Sequence, residues 1–374
     1  MSGQRSPTSI VNRISDAVPV DSVSTLQVPL GLLAIVIFIR PVVSHPLLLG
    51  YEQIANTILI WMLFAVAFNL LIGYSGLLSF GHAMFLGIGA YGAAIGTLTW
   101  NLPFLLSAAI GITVATLLGY LLGRLTVARG EIYFAMLTLA FAQSIYFIAN
   151  QNYGGLTGGS TGISGALPAW IESYRGVMYV SLGWVSFDWY YLLATVFVVA
   201  GLLLWQLVRS PFGRTLAALR ENEQLARAVG IDVKRYKVWA FTLSAAFTAL
   251  AGVLLEINNQ GATLHNLSIN TSGDIILMTI LGGTNYFLGP AAGAFVWLFA
   301  EDFLTEFEML VLPLSEFPIV TIELSGVLAY WQFFLGLLFV AAVLVAPREG
   351  LWGLCRGTLE RLYDRINGDQ TKHE

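Results

Sequence analysis

Residues 54–72 read Ile54-Ala-Asn-Thr-Ile-Leu-Ile-Trp-Met-Leu-Phe-Ala-Val-Ala-Phe-Asn-Leu-Leu-Ile72, a run without one charged side chain. In helical form, a stretch of this length crosses the ~30 Å of hydrocarbon in a bilayer. The pattern extends in both directions. From Pro41 to Gly123 the only charged residue is Glu52, and from Val238 to Pro347 there is no Lys or Arg. A charge at the centre of a spanning helix costs roughly 2.5–3.5 kcal/mol on insertion scales, so helix-forming stretches purged in this way read as consecutive spans. Across all 374 residues, 57% are hydrophobic and 11% charged, whereas a soluble domain carries roughly a quarter charged residues. The fold class is an all-α integral membrane protein.

Apolar runs between breakers predict ten transmembrane helices, at 28–43, 54–72, 83–100, 104–123, 132–149, 189–208, 238–257, 274–281, 288–303 and 326–346. The eighth is too short to cross alone, so it is expected to begin earlier, near Leu267, with part of its length in a protein-lined cavity. Positive charge sets the orientation. The connection 209–237 carries seven Lys/Arg, the tail after Pro347 carries five, and Arg124 and Arg129 flank another short connection. Residues 301–323 hold six acids and no base. With ten spans, the basic regions and both termini fall on the cytoplasmic side of a plasma (inner) membrane, and the acidic loop falls outside. The expected organisation is a polar cytoplasmic extension over 1–27 that lacks the apolar core of a signal peptide, a transmembrane domain over 28–347, and a cytoplasmic tail over 348–374. External loops are expected at 150–188 and 301–325.

The net charge of −4, with no basic stripe outside one loop and the tail, argues against a nucleic-acid partner. A single cysteine, Cys355, excludes an intrachain disulfide and a Cys-based metal site, and four scattered histidines form no ligand cluster. There is no Gly-x-x-x-x-Gly-Lys-Ser/Thr, so ATP has no P-loop here. No Ser/His/Asp set or zinc motif supplies a catalytic residue or holds a cofactor.

Within 209–237, the stretch Ser210-Pro-Phe-Gly-Arg to Tyr236-Lys237 is helix-forming yet far too charged to cross a bilayer. Leu225 and Val229 share a face at i, i+4 with Ala226 beside them, and Gly230 stands where a left-handed residue would stop the helix. Such a helix either lies on lipid or docks in a partner's groove.

Two glycine-rich breaks, Gly73-Tyr-Ser-Gly-Leu-Leu-Ser-Phe-Gly-His-Ala83 and Gly283-Thr-Asn-Tyr-Phe-Leu-Gly-Pro290, interrupt apolar runs in the two halves of the chain and suggest a weak internal repeat around a buried pathway. Tyr74, Ser75, Ser79, His82, Thr284 and Asn285 are candidates to line it. The alternative for the first break is a tight cytoplasmic turn, with His82 at a helix end. Gln143, in mid-span, either faces the pathway or makes a helix–helix hydrogen bond. Tyr153–Gly165 holds six glycines in thirteen residues, and Thr157, Gly158, Gly159 and Ser160 are candidate receptor contacts in the long external loop. Thr271-Ser-Gly-Asp274 fits a capping box, which places Asp274 at a helix entrance.

Gln224-Leu-Ala-(three residues)-Gly230 resembles the coupling-loop pattern of ABC importer permeases, usually Glu-Ala-Ala-(three)-Gly, with departures at Gln224 and Leu225. The wider set, Pro211-Phe-Gly-Arg, Arg220-Glu221-Asn-Glu, Ala-Val-Gly-Ile-Asp232, Gly73–Ala83, Arg129-Gly-Glu-Ile-Tyr-Phe-Ala-Met, Gly155-Leu-Thr-Gly-Gly-Ser-Thr-Gly162 and Leu281-Gly-Gly, is similar to the branched-chain amino-acid permease family of the LivM/LivH type across residues 50–347. The resemblance implies a type II importer permease. Its expected partners are a second homologous permease subunit, two cytoplasmic ATP-binding subunits that hold ATP and Mg, an extracytoplasmic solute-binding protein and membrane lipid. It also implies that Arg220, Glu221, Gln224, Leu225, Ala226, Val229 and Gly230 form the ATPase-coupling helix. Permeases for urea or short-chain amides are the nearest alternative, and an ion-gradient-driven transporter is more distant.

Overall fold

The computed structural model describes residues 27–43, 52–165, 180–182, 185–187, 189–306, 331–345 and 349–354. The expected N-terminal extension, most of the acidic loop, the start of the tenth span and most of the tail lie outside the described residues. Helix α1 is Gln27–Val43 and α2 is Glu52–Asn69, which runs on through a π-helical turn, Leu70–Tyr74. Then come α3 (Ala83–Ala94, extended by a π turn at Ile95–Thr99), α4 (Phe104–Thr126), α5 (Glu131–Asn150) and α6 (Trp189–Arg209). Two short helices, α7 (Pro211–Glu221) and α8 (Glu223–Ala228), precede the long α9 (Val233–Asn259). The series closes with α10 (Ile269–Gly282), α11 (Gly289–Glu306) and α12 (Trp331–Val345).

Five described helices are long and apolar enough to cross a membrane: α2 with its π turn, α4, α5, α6 and α9. Four apolar helices are shorter, at Val28–Val43, Ala83–Thr99, Ile269–Gly282 and Gln332–Val345. The all-α class holds, with two small antiparallel pairings added to it. Ile163–Ser164 (β1) pairs with Gly261–Ala262 (β4), and Val180–Leu182 (β2) pairs with Val185–Phe187 (β3). The first pairing fastens the loop after α5 to the end of α9.

The eighth apolar segment starts at Ile269, after a 3-10 turn at Leu264–Leu267. Its cap is not the expected one. Ser268 is extended, and its Oγ accepts from the Thr271 N–H at 3.2 Å. Thr271 instead donates its hydroxyl to the His265 carbonyl at 2.6 Å. The helix therefore opens before Thr271, and Asp274 lies inside it rather than at its entrance.

The core is built around α9, which packs on α2, α3 and α4. In lipid the hydrophobic effect does not draw helices together, so close backbone approach by small residues does that work. A Cβ added at Gly89 would stand 2.2 Å from the Ala249 carbonyl oxygen, and one at Gly252 would stand 1.9 Å from that of Leu86. Gly92 meets Gly111 in the same way where α3 crosses α4, with only 2.5 Å for a Cβ. These contacts are backbone against backbone and cannot relax by a change of rotamer.

Gly252→Val is expected to lower the melting temperature of the detergent-solubilised chain by several degrees or to prevent its recovery. Gly273→Ala, at a helical site where the new Cβ would meet no other part of the described residues within 4 Å beyond its own turn of helix, is expected to leave the melting temperature unchanged or slightly raised. Equal effects of the two would contradict this packing scheme.

Candidate functional site

The charged connection folds as two helices rather than one. Ser210 caps α7, with Pro211 at the first helical position, where a missing N–H is harmless. Asn222, at φ −155° and ψ 97°, breaks the chain into an elbow. Its Oδ1 then accepts from the Leu225 N–H at 2.9 Å and caps α8. Past the end of α8, Gly230 takes φ +86°, where its N–H reaches the Arg227 carbonyl at 3.0 Å and the Ile231 N–H reaches that of Ala226 at 3.1 Å. A positive-φ residue that closes the last turn in this way is a glycine C-terminal motif. Asp232 starts α9 by accepting from the Arg235 N–H at 3.1 Å.

Leu225 and Val229 are 60% and 70% exposed, while Ala226 is buried at 5%. The expected apolar face of three residues is therefore split. Successive helical residues point about 100° apart, so Ala226 anchors α8 to the protein while Leu225 and Val229 project. Glu221 and Gln224 are exposed as well.

A buried ammonium anchors α8. Lys237, 6% exposed at the foot of α9, donates to Glu223 Oε2 at 2.7 Å and lies 4.0 Å from Glu131 of α5. Arg227 donates to the other Glu223 oxygen one turn along α8. The hydrogen bond from Lys237 and the two nearby cations hold the Glu223 carboxyl below its ordinary value, against the effect of partial burial.

The two glycine-rich breaks, far apart in sequence, abut. Asn69 Nδ2 donates to the Tyr286 carbonyl at 3.2 Å, and a Cβ on Gly73 would stand 2.5 Å from the Thr284 carbonyl oxygen. Arg220 of α7 reaches both: Nη1 donates to the Gly73 carbonyl and Nη2 to Asn285 Oδ1 at 3.1 Å. Tyr74 and Thr284 are half-buried beside this contact. Ser75 is buried, with its hydroxyl turned back to the Leu71 carbonyl at 2.7 Å. Ser79 is fully buried, and its hydroxyl has no partner among the described residues.

His82 is fully enclosed among Phe64, Phe68, Phe85 and Phe241, with ring centroids 5.1–6.4 Å away. Its Nε2 meets Ser244 Oγ at 2.8 Å, and that hydroxyl also donates to the Ala67 carbonyl at 2.6 Å. His82 also stands at the start of α3, as the turn alternative has it, and Phe80 within the break is 40% exposed. Gln143 does not join these residues; it is exposed on α5.

In the loop after α5, Asn152 adopts φ +50°, and its Oδ1 accepts from the N–H groups of Thr157 and Gly158, both at 2.9 Å. Thr157 Oγ1 donates to the Ala149 carbonyl at 2.6 Å. Gly159 is buried and Ser160 exposed on the turn so formed.

Two features escaped the sequence reading. Glu256 is fully buried in α9, and neither carboxylate oxygen has a hydrogen-bond partner among the described residues. It is the single charged residue between Val238 and Gly273, and that isolation was a legible signal. At the end of α9 away from the basic helices, a cavity of about 690 Å³ opens among α2, α9, α10 and α11. It is lined by Thr57, Asn258, His265, Asp274, Glu301 and Asp302, among others. Asp274 and Glu301 meet there only because α10 and α11 pack together.

Apolar helices of spanning length, two polar breaks that abut and a charged helical connection with two projecting aliphatic side chains define a multi-pass membrane permease. The family model for the permease component of the branched-chain amino acid transport system matches residues 50–343, and the chain belongs to that family. It is 28% identical over 305 residues to the high-affinity branched-chain amino acid transport system permease protein LivM of Escherichia coli K12, covering 76% of this chain and 70% of the relative. It is 25% identical to the probable LivM permease protein of Methanocaldococcus jannaschii, covering 67% and 81%. The autoinducer 2 import system permease protein LsrC of Salmonella paratyphi B is 28% identical over 54% of this chain and 52% of the relative. No solved structure matches.

Because the Glu223 carboxyl sits below its ordinary value in the folded chain, its pairing contributes fully above the usual carboxylate range and is lost as pH falls through the lowered value. Glu223→Gln is therefore expected to melt below the unmodified chain at pH 7, with the difference shrinking as pH falls below the usual range. A difference that stays constant with pH would contradict the pairing.

Proposed function

We propose that this chain is a pore-forming permease subunit of an ATP-driven importer of branched-chain or other hydrophobic amino acids in the plasma (inner) membrane. It works with a second related permease subunit, two cytoplasmic ATP-binding subunits that hold ATP and Mg²⁺, and an extracytoplasmic solute-binding protein. The chain itself is not an enzyme and binds no cofactor. The end bearing α7 and α8 faces the cytoplasm together with both termini, and the cavity at the far end of α9 faces outward.

The observation that carries this reading is α8. It is a capped helix with two large aliphatic side chains aimed away from the protein, at the end where Lys and Arg are concentrated. Nothing within the described residues covers Leu225 or Val229 to any large extent, and a groove on an ATPase subunit would do so. ATP-driven approach of two such subunits pushes on α8. The anchors at Ala226 and Lys237 pass that push into the bundle, whose halves rock about a central path. The loop at Thr157–Ser160, in which Asn152 accepts from the Thr157 and Gly158 N–H groups, meets the solute-binding protein. A substrate delivered by a receptor needs only weak contacts inside the path.

In proteoliposomes containing the whole assembly, leucine uptake is expected to persist with a protonophore and to stop when internal ATP is removed. Dependence on the ion gradient instead would contradict the reading. Gly230→Val forces a β-branched residue to φ +86° and is expected to leave the chain inserted and the subunits associated while uptake falls at least tenfold. Uptake at the unmodified rate would count against α8 as the driven element.

A further inference from the structure

Arg220 belongs by sequence to the helix pair expected to face the ATPase, yet its guanidinium points into the membrane domain. One fork holds both breaks: the Gly73 carbonyl in the π turn that ends α2, and the Asn285 side chain between α10 and α11. The backbone leaves a passage for it, since Gly76 is at φ +72° and a Cβ there would already touch the Arg220 Cγ at 3.4 Å. Leu216 and Leu219 are buried, so α7 is seated in the bundle, and Asn222 turns the chain into α8 only two residues after Arg220. The Gly73 carbonyl lies in a final turn, where carbonyls lack a regular helical partner and accept outside donors readily. Arg220 also remains exposed to solvent, so water can replace either acceptor when the fork lets go.

We infer that Arg220 is a positioning residue for transport: it clamps the two glycine-rich breaks together in this conformation, and displacement of α7 and α8 releases them. The guanidinium is suited to this because its planar fork serves two acceptors at once, which the ammonium of a lysine holds less well. The neighbouring contacts define what is released. With the fork gone, the contacts left between the breaks include Asn69 to Tyr286 and the close approach of Gly73 to Thr284, neither of which involves a charged group, so the breaks are held more weakly. This inference rests on the proposed ATP-driven role of α8, and its test separates the two.

The test uses the complete transporter in proteoliposomes, with leucine uptake and ATP hydrolysis measured on the same preparation and subunit content checked on gels. Arg220→Gln is expected to assemble and hydrolyse ATP at the unmodified rate or faster, while uptake per ATP falls tenfold or more. Arg220→Lys should fall between the two. Asn285→Ala should lower uptake per ATP and add little when combined with Arg220→Gln. A residue with a merely structural role would reduce assembly, uptake and hydrolysis together and leave their ratio unchanged; that result overturns the clamp. An Asn285→Ala effect that multiplies with Arg220→Gln also overturns it. If Arg220→Gln does not assemble, Asn285→Ala and Arg220→Lys decide, and an unchanged ratio in both overturns the inference. Absence of ATP-driven uptake in the unmodified assembly overturns the proposed function itself, before any variant is compared.

Discussion

The contact between Lys237 and Glu223 is the one on which the working parts depend. The α7–α8 segment carries too much charge to enter lipid, and α9 is the central helix of the bundle. Lys237 lies in the first turns of α9, almost wholly withdrawn from water, and would be costly there without a partner. Glu223 opens α8 and supplies that partner. The requirement to neutralise one buried ammonium therefore fixes where α8 sits, and the caps at Asn222 and Gly230 fix its length. Leu225 and Val229 then project, while Glu223 and Ala226 hold α8 to the protein.

Around this anchor the bundle obeys the rules of packing in lipid. Glycines and alanines let α3, α4 and α9 approach at backbone distance, and hydroxyl side chains return their protons to carbonyls one turn earlier, as at Ser75, Thr126, Thr242 and Thr279. Polar groups that break the pattern mark the interesting places. His82 is held by a serine inside a ring of phenylalanines. Glu256 has no protein partner among the described residues, and a buried carboxylate in a spanning helix is a functional candidate on cost alone.

Much of this was written in local sequence. Charge depletion located the apolar helices, and Gly230 marked a helix end. Each is a property of a few adjacent residues. What could not be read locally depended on distant partners or on angle around a helix. Ala226 adjoins Leu225 in sequence yet points the other way. The elbow at Asn222 interrupts a stretch whose composition suits one continuous helix. Arg220 meets Gly73 and Asn285 across long separations, which turned two similar-looking breaks into one contact. Thr271 and Asp274 fitted a capping pattern, but Ser268, three residues before Thr271, took the role of the cap. Gln143, polar in mid-helix, gave no sign of whether it faced in or out, and the packing of α5 leaves it exposed.

The proposed transport function requires that a nucleotide-hydrolysing subunit grip α8. With the native Cys355 replaced by serine, Leu225→Cys or Val229→Cys, labelled with a short photoreactive group in the intact assembly, is predicted to yield a cross-linked product with that subunit, at a yield that changes when ATP is added. Labels at either position that reach lipid alone, in an assembly that still transports, would contradict it.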